Sequence, residues 1–270
     1  MDKALNRIII WGVIGFLAQF IDGTLGMGYG VFSASIIIAT GVMPAIASAS
    51  VHTAEIFTTL VSGGSHLFFG NVKREWLIAM TLPGVIGGAA GAYFLASIPG
   101  DMIKPFVAAF LTILGLVILF RFIKYRVPSR QNQDSKAPGK VSNVVNRFKI
   151  KLPALGFCAA FMDAVGGGGW GPIATPGLIL GENAEPRKAI GTVNLVEFFV
   201  TISISVTFFL TLGWESYDWP LVGALMCGGV IAAPLAAFLC KKLPIRILGI
   251  FIGILLVATN LRTLILAITN

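Results

Sequence analysis

The chain has 270 residues, 56% hydrophobic and 12% charged, with a mean hydropathy of +0.87; a soluble domain, which typically carries about 25% charged residues, is excluded. The net charge of +8 is concentrated in residues 121–151, where nine Lys/Arg face one acid, Asp134, while the remaining eleven basic and eleven acidic residues cancel. A basic loop between membrane spans is what the positive-inside rule produces, so no nucleic-acid-binding function is read from this charge.

In chain order, the N-terminal apolar run superficially resembles a signal peptide. It continues, however, into a glycine-rich loop, DGTLGMGYGV (22–31), and has a mid-chain counterpart at 152–165 that leads into DAVGGGGWGP (163–172). Both segments therefore belong to the fold. The repeat extends further: GFLAQFID (15–22) aligns with GFCAAFMD (156–163), SVHTAEIF (50–57) with TVNLVEFF (192–199), and GVIGG (84–88) with GVIAA (229–233). Three matches in the same order define an internal duplication.

Each half reads as an arm entering the glycine loop, a short arm leaving it (31–40; 173–180) and three full-length helices. These are predicted at 45–69, 76–98 and 102–124, then at 190–212, 219–240 and 246–268. An outgoing arm of about ten residues reaches about 15 Å, half of a hydrocarbon core about 30 Å thick, so a re-entrant hairpin is expected. Loop charges favour an odd number of spans per half. A cytoplasmic basic linker then places 71–75, Arg187, Lys188, Lys241 and Lys242 inside, and 41–45 and 213–220 outside. The expected fold is an all-α polytopic protein of the cytoplasmic membrane with two inverted repeats, each a glycine-rich re-entrant hairpin plus three transmembrane helices. The repeats cover 1–124 and 152–270, joined by a basic cytoplasmic linker, 125–151. Inverted repeats are a common plan of secondary transporters.

Cys158, Cys227 and Cys240 fall in apolar segments without a CxxC pair and read as small core residues. No metal site, cofactor, or paired nucleophile and base is recognisable, so no enzymatic function is read.

Four acids fall at predicted membrane depth, Asp22, Glu55, Asp163 and Glu197, with no Lys or Arg among them. A carboxylate at the bilayer centre costs about 2.5–3.5 kcal/mol, and keeping a glutamate neutral at pH 7 costs about 3.7 kcal/mol. The balance suits proton exchange, which gives Glu55 and Glu197, with Asp22 and Asp163, candidate coupling or gating roles. Asp22 and Asp163 are equally placed to cap the turns that follow them. Glu55 lies on a stripe with Ser48, His52, Thr59, Ser62 and His66 at helical spacing; Asn194, Glu197, Thr201 and Ser205 form the second stripe. His66, near its helix end, is read as structural. Non-helical backbone inside a bilayer must lie within protein or line a cavity. The amides of Gly26, Gly28, Tyr29 and Gly30, and of Gly167, Gly168, Gly169, Trp170 and Gly171, are therefore candidate donors to an anion, with His52 and Asn194 beside them. Neither loop is a Rossmann or Walker motif.

GMGYG (26–30), GGGGWG (166–171), VHTAE (51–55), His66 with GNV (70–72) and PGVIG (83–87) resemble the sulfite exporter TauE/SafE family, also described as toluene sulfonate uptake permeases. Met27 and Tyr29 interrupt what would be a glycine triplet in the first loop. The resemblance implies a membrane carrier of small sulfur-containing anions such as sulfite or organosulfonates; the acids themselves, Glu55 and Glu197 above all, offer protons as its coupling ion. The residues themselves leave open a proton-linked cation or metal carrier using Glu55, Glu197 and His52.

Overall fold

A computed structural model describes residues 2–124, 152–182, 184–239 and 245–269; the basic linker lies outside them, as do Cys240, Lys241 and Lys242. The described residues form ten α-helices and no strand: α1 (Asp2–Leu25), α2 (Tyr29–Ala39), α3 (Pro44–Phe68), α4 (Arg74–Ala96), α5 (Gly100–Lys124), α6 (Leu152–Gly166), α7 (Trp170–Gly181), α8 (Pro186–Leu212), α9 (Trp219–Leu239) and α10 (Ile245–Thr269). Prolines stand in the first turns of α3 and α8, where a missing N–H costs nothing.

Among the described residues six helices are long and apolar enough to cross a membrane: α1, α4, α5, α8, α9 and α10. Two details differ from the sequence reading. The incoming arm α1 is 24 residues long, because nothing breaks its apolar run before Gly26. The 25-residue α3 is not among the six, because its buried stripe of polar side chains lowers its hydropathy. The outgoing arms α2 and α7 are short, at 11 and 12 residues. Both double back on the helix before them. Thr40 and Val42, just beyond α2, share a cleft with Asn6, Arg7, Ile10 and Trp11 of α1, and Gly177 of α7 sits against Leu155 of α6.

Helix pairing follows the duplication. α1 packs on α9 and, correspondingly, α6 packs on α4, while α3 packs on α8 and α5 on α10. Gly87 meets Phe157 and Gly91 meets Phe161; the contact advances on both chains, so α4 and α6 run parallel. Gly249 meets Phe122 and Gly253 meets Leu119; here one chain advances while the other retreats, so α5 and α10 run antiparallel. α3 and α8 behave likewise, with Ser62 bonded to Asn194 and Thr53 beside Ser205 and Val206.

With lipid outside, apolar burial drives little helix association, and close packing of small residues takes over. A side chain at Gly228 would land on the Gly12 carbonyl, and a Cβ at Gly91 would sit 2.5 Å from the Phe161 carbonyl oxygen. The large side chains Phe68, Ile78, Leu82, Phe106, Ile247 and Phe251 point outward, as a lipid-facing belt does. Trp214, Tyr217 and Trp219 stack at one end, beside the Arg7–Asp218 ion pair, in the manner of an interfacial aromatic belt. Cys158 and Cys227 are exposed, which corrects their assignment to the core.

Gly91→Ala pushes a methyl group into a carbonyl held by the helix opposite and is expected to destabilise by about 1–3 kcal/mol. Gly223 has open space around it, so Gly223→Ala should leave the melting temperature unchanged or higher. Thermal unfolding of both variants in detergent checks the contrast.

Candidate functional site

The two glycine loops meet. α1 ends where Gly26 turns left-handed at φ 65°, and α6 ends where Gly167 does the same at φ 70°. The Gly26 N–H donates to the Asp22 carbonyl (2.6 Å) and the Gly168 N–H to the Asp163 carbonyl (3.0 Å), closing each turn on the carbonyl of its own aspartate. A Cβ on Gly30 would lie 2.6 Å from the Gly168 Cα, and one on Gly171 would lie 2.5 Å from the Met27 Cα. The backbones therefore cross with no room for a side chain. Thr175 ties them together, donating to the Gly26 carbonyl at 2.5 Å.

The aspartates hold the turns. Asp163 Oδ1 accepts the N–H groups of Gly169 (2.6 Å) and Trp170 (3.0 Å), at the N-terminus of α7. Asp22 accepts the backbone N–H of Tyr29, the equivalent position of α2. The amides of Gly168, Gly169 and Trp170, which the sequence offers to an anion, are thus occupied in this conformation. The Trp170 indole N–H is also taken, by the Val193 carbonyl at 3.0 Å.

His52 adds a proton to this centre. Its Nδ1 faces the Ser48 carbonyl at 2.8 Å and the Ser48 hydroxyl oxygen at 3.2 Å, while that hydroxyl donates its own hydrogen to the Ala164 carbonyl at 2.7 Å. Nδ1 must therefore carry a hydrogen. On the other side of the ring, Nε2 lies 3.1 Å from Asp163 Oδ2. Two bare acceptors would repel at that distance, so one further proton sits between His52 and Asp163, on either partner.

Glu55 completes the centre. Its Oε2 is 3.8 Å from His52 Nε2 and, though buried, has no hydrogen-bond partner; its Oε1 lies beside Gly30, 3.4 Å from where a Cβ would stand. Asp22, Glu55 and Asp163 all lie close enough to Glu197 to act on it by charge. The four acids are 1–4% exposed. Among the described residues no Lys or Arg pairs with any of them, and no three His, Cys, Asp or Glu side chains converge as a metal site. His52 is fully buried as well.

Not every candidate turns towards this point. Asn194 accepts from Ser62 (2.6 Å) and donates to the Ile190 carbonyl (3.1 Å), tying α8 to α3. His66 bonds the Gly23 carbonyl and Asn71, which fits its structural reading. Gln19 was missed: it is fully buried and neither amide atom has a hydrogen bond. Its repeat counterpart is Ala160, so the departure from the duplication was the available signal. The Tyr29 hydroxyl is likewise buried without a partner.

A chain that is helical throughout its described elements, with six candidate membrane spans around a buried polar centre, is a multi-pass membrane protein. Residues 11–263 match the sulfite exporter TauE/SafE family, and the chain belongs to it. It is 44% identical over 261 residues to YtnM of Bacillus subtilis (strain 168), described as a probable membrane transporter protein; the alignment covers 97% of this chain and 84% of that one. A second probable membrane transporter protein of that organism, YdhB, is 23% identical over 229 residues, covering 84% and 87% of the two chains. No solved structure matches.

Asp163→Ala removes the acceptor for two amides and leaves His52 Nε2 without its partner, a loss of about 1–3 kcal/mol. Asp163→Asn keeps a carbonyl oxygen for the amides and can donate its NH₂ to Nε2, so it should unfold closer to wild type. Melting curves of the two variants in detergent test that order.

Proposed function

We propose that the protein is a secondary transporter for small sulfur-containing anions, such as sulfite or an organosulfonate, and that protons at the central acids govern when the anion binds. The observation that carries this reading is a cluster of four buried acids and one histidine at the crossing of the glycine loops, with no Lys or Arg paired to it among the described residues. An anion is repelled there while the carboxyls are charged and accepted when they hold protons, so substrate and proton occupancy are linked. The Tyr29 hydroxyl and loop amides freed when the crossing opens are the donors for it. The family's name points to the same substrate class.

The antiparallel pairing of α5 with α10 and of α3 with α8 supports two inverted halves, 1–124 and 152–270, whose pseudo-two-fold axis crosses the helices at the loops. The end carrying Lys73, Arg74, Arg187 and Lys188 is then cytoplasmic, together with the basic linker 125–151. A membrane potential negative inside favours outward anion movement by about 2.3 kcal/mol per charge per 100 mV, whereas inward movement needs accompanying protons.

The same acids favour a second reading, a proton-linked carrier of a cation or metal ion through Glu55, Glu197 and His52. Flux into proteoliposomes separates the two. Under the anion reading, sulfite or sulfonate moves, and Glu55→Gln retains flux but flattens its dependence on pH. Under the cation reading, Glu55→Gln abolishes flux of the metal ion. Sulfite and sulfonate fluxes no greater than in empty liposomes would overturn the proposal.

A further inference from the structure

A cleft of about 460 Å³ opens far from the loop crossing, at the ends of α2, α5 and α10, within the range of about 300–1,000 Å³ usual for small-molecule sites. Its polar lining comprises Thr40, Asp101, Lys104, Arg262 and Thr263. Neither Lys104 nor Arg262 forms an ion pair or hydrogen bond among the described residues, although Asp101 lines the same cleft. The hydroxyls of Thr40 and Thr263 donate to the carbonyls of Ile37 and Thr259. The amides of Thr40 and Gly41 are bonded to the preceding turn of α2. The donors left without a partner are therefore the two cations.

We propose that this cleft is a second anion site, which takes a tetrahedral oxyanion between Lys104 and Arg262. A guanidinium fork matches a pair of oxyanion oxygens and an ammonium supplies a compact point charge. Gly41, at φ 99° and with open space where a Cβ would stand, leaves the floor of the cleft clear. Asp101 puts a negative charge on one wall, so the site holds its ligand loosely and favours exchange over retention. The cleft shares its end of the molecule with Arg7 and Asp218, since Thr40 lines both this cleft and the one containing Arg7. That is the end opposite Lys73 and Lys188. Two sources offer the same chemistry there, an oxyanion in solution and the phosphate of an anionic lipid headgroup.

The test reads binding without transport, so its outcome is separate from that of the proposed function. Purified protein in neutral detergent is titrated with sulfate against chloride at constant ionic strength, followed by thermal shift. In parallel it is incubated with phosphatidylglycerol or phosphatidylcholine and examined by native mass spectrometry. Wild type should bind sulfate, phosphatidylglycerol or both, and K104Q/R262Q should weaken that binding by about tenfold or more, that is by at least about 1.4 kcal/mol. The single variants Lys104→Gln and Arg262→Gln should fall between. K73Q/R74Q removes the same charge at the opposite end and should bind as wild type does. Sulfate alone responding identifies a site for a dissolved anion, and phosphatidylglycerol alone a headgroup site. Wild type that binds neither probe, a double variant that binds as well as wild type, or a control variant that loses as much, overturns the assignment.

Discussion

Polypeptide that leaves helical geometry inside a bilayer has to find protein partners for its amides, because lipid supplies none. That constraint organises the centre of this molecule. Each glycine loop turns on its own aspartate: Asp163 through its backbone carbonyl and Oδ1, Asp22 through its carbonyl and the Tyr29 amide. The loops then cross backbone to backbone at Gly30 and Gly168. The helices that hold them, α1 on α9 and α6 on α4, are set by further glycine contacts, so small residues determine the position of the acids twice over.

The duplicated centre is not symmetric in chemistry. His52 reaches Asp163 across the molecule, whereas its counterpart Asn194 turns to Ser62 and the Ile190 carbonyl. Asp22 Oδ2 has no hydrogen-bond partner. Asp163 thus shares a proton with a histidine of the other half, whereas Asp22 keeps one carboxylate oxygen without a partner, on frameworks of the same shape.

Much of the site was legible in the sequence. The duplication, the short outgoing arms, the turn-capping place of Asp163 and the structural role of His66 all follow from spacing, helix geometry and residue chemistry. The His52–Asp163 contact was not, because the residues are separated by 111 positions and meet only when α3 packs beside α6. Nor was the occupancy of the loop amides. A glycine loop before a half-helix looks alike in sequence whether its N–H groups are free or satisfied by a side chain.

Composition and periodicity alone determined that the chain is a multi-pass helical membrane protein built from two related halves, because hydropathy, span length and repeats are properties of the linear order. Tertiary structure decided that the loops touch without leaving a gap, that the four acids and His52 form one closed cluster, that α1 is long enough to span, and that Cys158 and Cys227 face outward. Each of these depends on which helix face meets which neighbour, and the close glycine contacts settle that only once the helices are packed.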